Sequence, residues 1–264
     1  MRPLKSAALA LLAIGIALPA LAQTPQEKGL AIAEEIDRRD TGFGDQQADL
    51  KMLLKNAHGE TSERVLSQSV LEMPDRDVGD KTLIVFTQPR DIDGTAMLTH
   101  TKILDPDDQW LFLPALKRVK RISSANKSGP FMGSEFAYED LVSFEVDKYA
   151  YTYLKDEPCG ALTCFVVERR PRYENSGYTR QVTWVDQQEY RIWKVDFYDR
   201  KDDLLKTLTF DGYKQYLDKF WRADTLTMVN HQNGKSTVLV SDNYRFRVGL
   251  KDSDFQKGKL KRIR

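Results

Sequence analysis

The chain has 264 residues, 40 basic against 39 acidic, for a net charge of +1. Such balance excludes bulk electrostatic attraction to nucleic acid. Two cysteines are too few for a disulfide-built fold, and a 41% apolar composition is enough for a sizeable core.

At the N-terminus, Arg2 and Lys5 precede an apolar run from Leu9 to Leu18 and a small-x-small site at Ala20-Leu21-Ala22. This pattern predicts a secretory signal peptide over residues 1–22, with an apolar part too short to span a bilayer. Gln23 follows the predicted cut, so a lipid-anchored cysteine there is not expected. The expected product is a soluble exported domain over residues 23–264, monomeric and within the size range of one large β-rich domain.

Residues 26–39 place Leu30, Ala33 and Ile36 at helical spacing, predicting an amphipathic helix broken by Thr41-Gly42-Phe43-Gly44. Period two follows. Ala48, Leu50, Met52 and Leu54 alternate with Asp49, Lys51 and Lys55, and Asn56-Ala57-His58-Gly59 makes a turn. Residues 61–73, 81–88, 94–104 and 108–113 read as further strands.

The stretch from Gln109 to Leu141 is the most informative. A dense apolar run (Trp110–Leu113) leads into Lys117, Arg118, Val119, Lys120, Arg121 and Ile122, with cations on both faces. A glycine- and aromatic-rich segment with Phe131, Met132, Phe136 and Tyr138 follows, then a short helical candidate at Glu139 to Phe144. Cations beside greasy groups suit an amphiphile with an anionic head. They equally suit an edge strand protected against aggregation.

Farther on, Tyr149, Tyr151 and Tyr153 alternate, as do Trp193, Val195 and Phe197, and Asn233-Gly234 signals a two-residue hairpin. Cys159 and Cys164, in CGALTC, predict a local disulfide in an oxidising compartment. The terminal KGKLKRIR carries five cations and reads as a solvated tail or a steering element for anionic lipid or an acidic partner. About ten or eleven strands in a meander must curl to bury one face. The expected fold is mainly β (α+β): an incomplete antiparallel β-barrel, with the helices as plug or lid over an interior either packed or open.

The blocks DDQWLFLPALKRVKRI and SGPFMGSEFAYEDL, with ADLKMLL at residues 48–54 and IVFTQPRDIDGTAMLTH at residues 84–100, resemble the outer-membrane lipoprotein-sorting family, relatives of LolA and LolB. The resemblance covers roughly residues 27–264. It implies a LolA/LolB-like half-barrel with a helical lid, holding acyl chains of a lipid or lipoprotein in the periplasm. It also implies an RND-type inner-membrane transporter or an outer-membrane receptor as partner. Peripheral membrane contact is expected from the basic C-terminal segment instead.

Candidates for the lining are Leu50, Met52, Phe86, Met97, Trp110, Phe112, Phe131, Met132 and Phe136, each also readable as ordinary core. Arg118 and Arg121 are candidates for a head group, or for ion pairs within the loop to Glu135 or Asp140. The lid-closing arginine of LolA-type carriers has no assigned match.

Catalytic signals are weak. His58, His100 and His231 lack metal-ligand spacing, Gly133-Ser134 lacks the context of a nucleophile elbow, and no phosphate-binding glycine loop occurs. No cofactor is expected. The leading expectation is a non-enzymatic carrier. The alternatives are a periplasmic sensor or adaptor that binds a protein partner (resembling a regulator of anti-sigma factor or an exporter accessory) and a hydrolase of lipid or glycan.

Overall fold

The computed structural model describes residues 23–75 and 78–263, so the signal peptide expected at residues 1–22 lies outside the described residues. Helix α1 (Pro25–Asp40) opens the fold. Thr24 caps it: its hydroxyl accepts from the Glu27 amide at 3.2 Å, while the Glu27 carboxylate accepts from the Thr24 amide at 2.8 Å. The buried face is Gly29, Ile32 and Ala33. Leu30, expected on that face, is 40% exposed. The difference has a physical cause, since the helix approaches a strand too closely for anything larger than glycine at position 29.

Among the described residues thirteen strands follow, more than the ten or eleven expected. They are β1 (Asp45–Lys55), β2 (Thr61–Leu71), β3 (Val78–Gln88), β4 (Ala96–Lys102), β5 (Asp108–Leu113), β6 (Arg118–Ile122) and β7 (Tyr149–Cys159), then β8 (Leu162–Pro171), β9 (Arg180–Asp186), β10 (Ile192–Tyr198), β11 (Leu204–Tyr216), β12 (Phe220–Asn230) and β13 (Ser236–Phe246). Strands such as β8 and β11 mix charges with short apolar runs, so period two alone understates them.

All thirteen join one antiparallel sheet in the order β6-β5-β4-β3-β2-β1-β13-β12-β11-β10-β9-β8-β7. Strands β1–β6 walk outward from the centre to one edge. The chain then restarts at the opposite edge with β7 and walks back to pair β13 with β1. The linker from β6 to β7, residues 123–148, must therefore cross the width of the sheet. It does so over the concave face.

In β1 the alternation is as read: Ala48, Leu50 and Met52 are buried, while Asp49, Lys51 and Lys55 face solvent. Strands β3–β5 are buried on both faces. Ile84, Phe86, Met97 and Leu111 join the concave core. Leu83, Val85, Leu98 and Phe112 pack on the convex side beneath Phe255 and Leu260. That two-sided burial accounts for the dense apolar run of Trp110–Leu113.

The segment that carries the terminal cations is thus packed down and not a free tail. Residues 252–255 and 257–262 form 3₁₀ turns whose Phe255 and Leu260 are each 1% exposed. His100 Nε2 lies 2.7 Å from the Phe255 carbonyl and helps hold the segment down.

At the other edge α1 covers β7. A Cβ at Gly29 would stand 2.8 Å from the Tyr153 amide nitrogen, so helix and strand backbones are in direct contact. Cys159 and Cys164 are bridged across the β7–β8 hairpin, with Cα atoms 5.8 Å apart. The expected two-residue turn at Asn233-Gly234 is instead five residues long. The Asn230 side-chain oxygen accepts from the amides of Gln232 and Asn233 at 3.0 and 3.2 Å, which organises the longer loop.

Candidate functional site

The concave face and its covering strap, residues 123–148, form the candidate site. The strap is not the helix expected at Glu139 to Phe144. It is a chain of 3₁₀ turns at Ser124–Asn126, Phe131–Gly133, Tyr138–Leu141 and Val146–Lys148. Pro130 bridges Ala137, and the Phe131 amide donates to the Phe136 carbonyl at 2.7 Å, making a small loop that points both phenylalanines at the sheet. Met132 turns the corner in the left-handed region (φ 50) and Gly133 follows at φ 77. Ser134, buried, donates to the Phe131 carbonyl at 2.7 Å.

Leu50, Met52, Phe86 and Met97 from the sheet meet Phe131, Met132 and Phe136 from the strap in one apolar cluster. Phe86 and Phe131 have ring centroids 5.7 Å apart, and Phe131 is edge-on to Tyr138 at the same distance. Trp110 and Phe112 require correction: they sit on the convex face under the C-terminal segment. Period two puts them opposite Leu111, which does reach the concave core.

Polar ties hold the strap to both halves of the sheet. From the first half, Arg64 on β2 donates to the Met132 carbonyl, and Gln109 on β5 donates to the Tyr138 carbonyl at 2.9 Å. Lys148 pairs with Asp107 at 2.6 Å. From the second half, Lys206 on β11 reaches the Glu135 carbonyl at 2.8 Å and the Asp140 carboxylate at 2.7 Å. Asp140 also accepts from the Tyr178 hydroxyl at 2.8 Å, while Asn230 donates to the Glu135 carboxylate at 2.7 Å.

The ion pairing expected of Arg118 and Arg121 with Glu135 and Asp140 is therefore made otherwise. Arg121 pairs with Asp108 on the neighbouring strand, and Arg118 is exposed. Lys206 holds the strap's acid instead.

Glu139 accepts from the Gly177 amide at 2.7 Å and the Ser176 hydroxyl at 2.8 Å. Burial pushes its carboxyl above the usual range, against the pull of the Gly177 amide. Burial also lowers Lys127, whose ammonium lies 3.7 Å from the Tyr173 ring centre, and lowers Arg64. Each of these charges is held partly away from water where the strap packs.

Sequence reasoning missed Arg64 and Lys206, yet both carry a signal. Arg64 has the parity of Leu66 in β2, and Lys206 that of Leu208 in β11. A cation on the inward side of a strand needs a partner inside.

Beside the strap, an apolar cleft between α1 and β7–β9 is lined by Ile32, Ile36, Phe144, Tyr151, Val167 and Val185. It leaves about 20 Å³, roughly the space of one water. An acyl chain does not fit unless strap or helix moves. Among the described residues no three His, Cys, Asp or Glu side chains gather as a metal site, and no helix is long and apolar enough to cross a membrane.

A family model described as an uncharacterized protein matches residues 79–262. The structure of an outer membrane lipoprotein-sorting protein domain from Vibrio parahaemolyticus is 58% identical, with a TM-score of 0.87, over 89% of this chain and 99% of that one. The chain belongs to the outer-membrane lipoprotein-sorting family. A DUF1329 family protein from Desulfovibrio piger is 29% identical with a TM-score of 0.85, over 90% of this chain and 99% of that one. A LolA superfamily protein from Nitrosomonas europaea, 21% identical with a TM-score of 0.69 over 87% and 98%, shares the fold with this member of the sorting family. None of the curated proteins matches.

Proposed function

We propose that the protein is a periplasmic carrier that takes acyl chains of a lipid or lipoprotein against its concave face when the strap lifts. The observation that carries this reading is the nature of the cover. Phe131, Met132 and Phe136 fill the concave core from a segment with no strand or α-helix of its own, tied at a few polar points. An acyl chain sliding in beside Leu50, Met52, Phe86 and Met97 replaces apolar contacts with apolar contacts. Each methylene taken from water contributes about 0.8 kcal/mol, so a chain offsets the loss of the strap's packing without any catalytic group.

The ties supply the reversible half of the cycle. Arg64, Lys206 and Asn230 hold the strap when the face is empty and restore it on delivery. Release falls to a partner, an inner-membrane transporter or an outer-membrane receptor, because a groove that grips this well does not empty itself. The signal-peptide pattern at residues 1–22 and the disulfide agree with an exported, oxidising setting.

The test is uptake of a fluorescent fatty-acyl probe by delipidated protein, followed by native mass spectrometry. The carrier reading expects saturable uptake at one site, increased by Lys206→Met, which loosens the strap. Failure of both proteins to take up the probe overturns it.

A further inference from the structure

The concave site leaves unexplained the cations of β6 and of the C-terminal segment. Residues 109–134 contain no Asp or Glu, and neither do residues 255–264. They lie far apart in sequence, yet the 257–262 turns pack against β4, β5 and β6. Folding therefore joins two acid-free segments into one surface on the sheet's edge and convex side.

Arg121 and Lys102 share Asp108, and Lys259 pairs with Asp254 at 3.0 Å. Lys117, Arg118, Lys120, Lys261 and Arg262 are exposed, and among the described residues none has an acid partner. Lys257, also exposed, lies 5.8 Å from the centre of the Trp110 ring. At the β5–β6 tip Leu116, directly before Lys117, is 59% exposed. The β3–β4 turn, whose Gly94 abuts Pro114, carries the acids Asp91 and Asp93 together with Arg90.

We propose that this surface, β6 with its Leu116 tip and the 257–262 turns, docks the protein on a bilayer rich in anionic phospholipid. Edge protection explains charges on β6 itself. It does not explain why a second basic segment is held down beside it, nor why the hairpin tip exposes a leucine. An apolar tip next to lysine and arginine matches an interface, where the leucine enters the acyl boundary and the cations meet phosphates. An acidic protein would use the charges and leave Leu116 without a role, and a cation-lined edge discourages an added strand. This inference goes beyond the carrier reading and holds whether or not the concave face takes an acyl chain.

Cosedimentation of the purified protein with phosphatidylcholine vesicles, with and without phosphatidylglycerol, tests it. Binding is expected only with phosphatidylglycerol and to weaken as salt screens the charges. The combined change Lys117→Glu, Arg118→Glu and Lys120→Glu should weaken it at least about tenfold. The pair Lys257→Glu and Lys261→Glu, on the other segment, should weaken it independently, and Leu116→Ser should weaken it without altering the salt dependence. All these side chains are exposed, so melting temperature and fatty-acyl probe uptake should stay at wild-type values, which separates this result from the fate of the carrier reading. Equal binding to neutral and anionic vesicles, binding to neither, or wild-type binding by both charge-reversal variants overturns the proposal. Capture of an acidic protein without vesicle binding also overturns it.

Discussion

A lysine ammonium and an aspartate carboxylate buried together depend on each other, because neither has water to fall back on. The side chains of Lys206 and Asp140 are 4% and 5% exposed, so removing one leaves an uncompensated charge beneath the strap. Lys206→Met should cost about 3–5 kcal/mol in denaturant unfolding, and adding Asp140→Asn should return part of that. Phe131 and Trp110 make a second comparison. Phe131→Ala empties a fully buried place in the concave core and should cost about 3–5 kcal/mol. Trp110→Ala should also lower the melting temperature, but from the convex side, so fatty-acyl probe uptake should change only in the Phe131 variant. In residues 109–141 Phe112, Phe131 and Phe136 were legible as buried, but the face each one uses was not. One step along a strand switches faces, and only pairing with neighbours fixes which face carries the strap.

Among the elements, α1 and the strap's far end are each held by a close approach. At Gly29 the neighbours of an added Cβ are β7 backbone atoms, which cannot swing aside. Gly29→Ala should therefore lower thermal stability by about 1–3 kcal/mol although alanine is the better helix former.

The strap ends where Glu145 lies against β3; a Cβ at Gly79 would stand 2.7 Å from its carboxyl oxygen. Burial raises Glu145 from 4.5 to about 7, and the neighbouring Asp80 from 3.8 to about 6, with the two carboxyls and Asp37 repelling one another while Lys148 opposes the shift at Glu145. These folded-state values lie above the unfolded ones, so the stability they contribute is full below about pH 4 and is lost as pH rises toward 7. Melting temperature should fall across that window, and Glu145→Gln should flatten the fall and raise stability at pH 8. A slope unchanged in the variant would contradict this. The strap reads poorly in the sequence because it has no period. Its turns follow from tertiary ties such as Gln109 to the Tyr138 carbonyl.

At the scale of the whole molecule, one fact of topology creates the site. The first meander ends at one sheet edge and the second begins at the other, so the connection must traverse a face. A fold in which β7 paired directly with β6 would need no such crossing and would leave the concave core without its cover. The same arrangement brings the C-terminal segment back over β3–β5, burying those strands on both sides and placing its lysines beside β6.

By itself the amino-acid order determined what depends on neighbours along the chain. The N-terminal helix, the alternating strands of the first meander, the bridge between cysteines five positions apart and the family motif of residues 107–141 were readable there. These rest on periodicity and short loops, both of which act within about ten residues. Only the tertiary structure decided that Arg64 and Lys206 tie down the strap, that Trp110 faces away from the concave core, and that two basic segments meet at one edge. Those outcomes depend on strand order and register, where contacts between residues far apart in sequence outweigh any local preference.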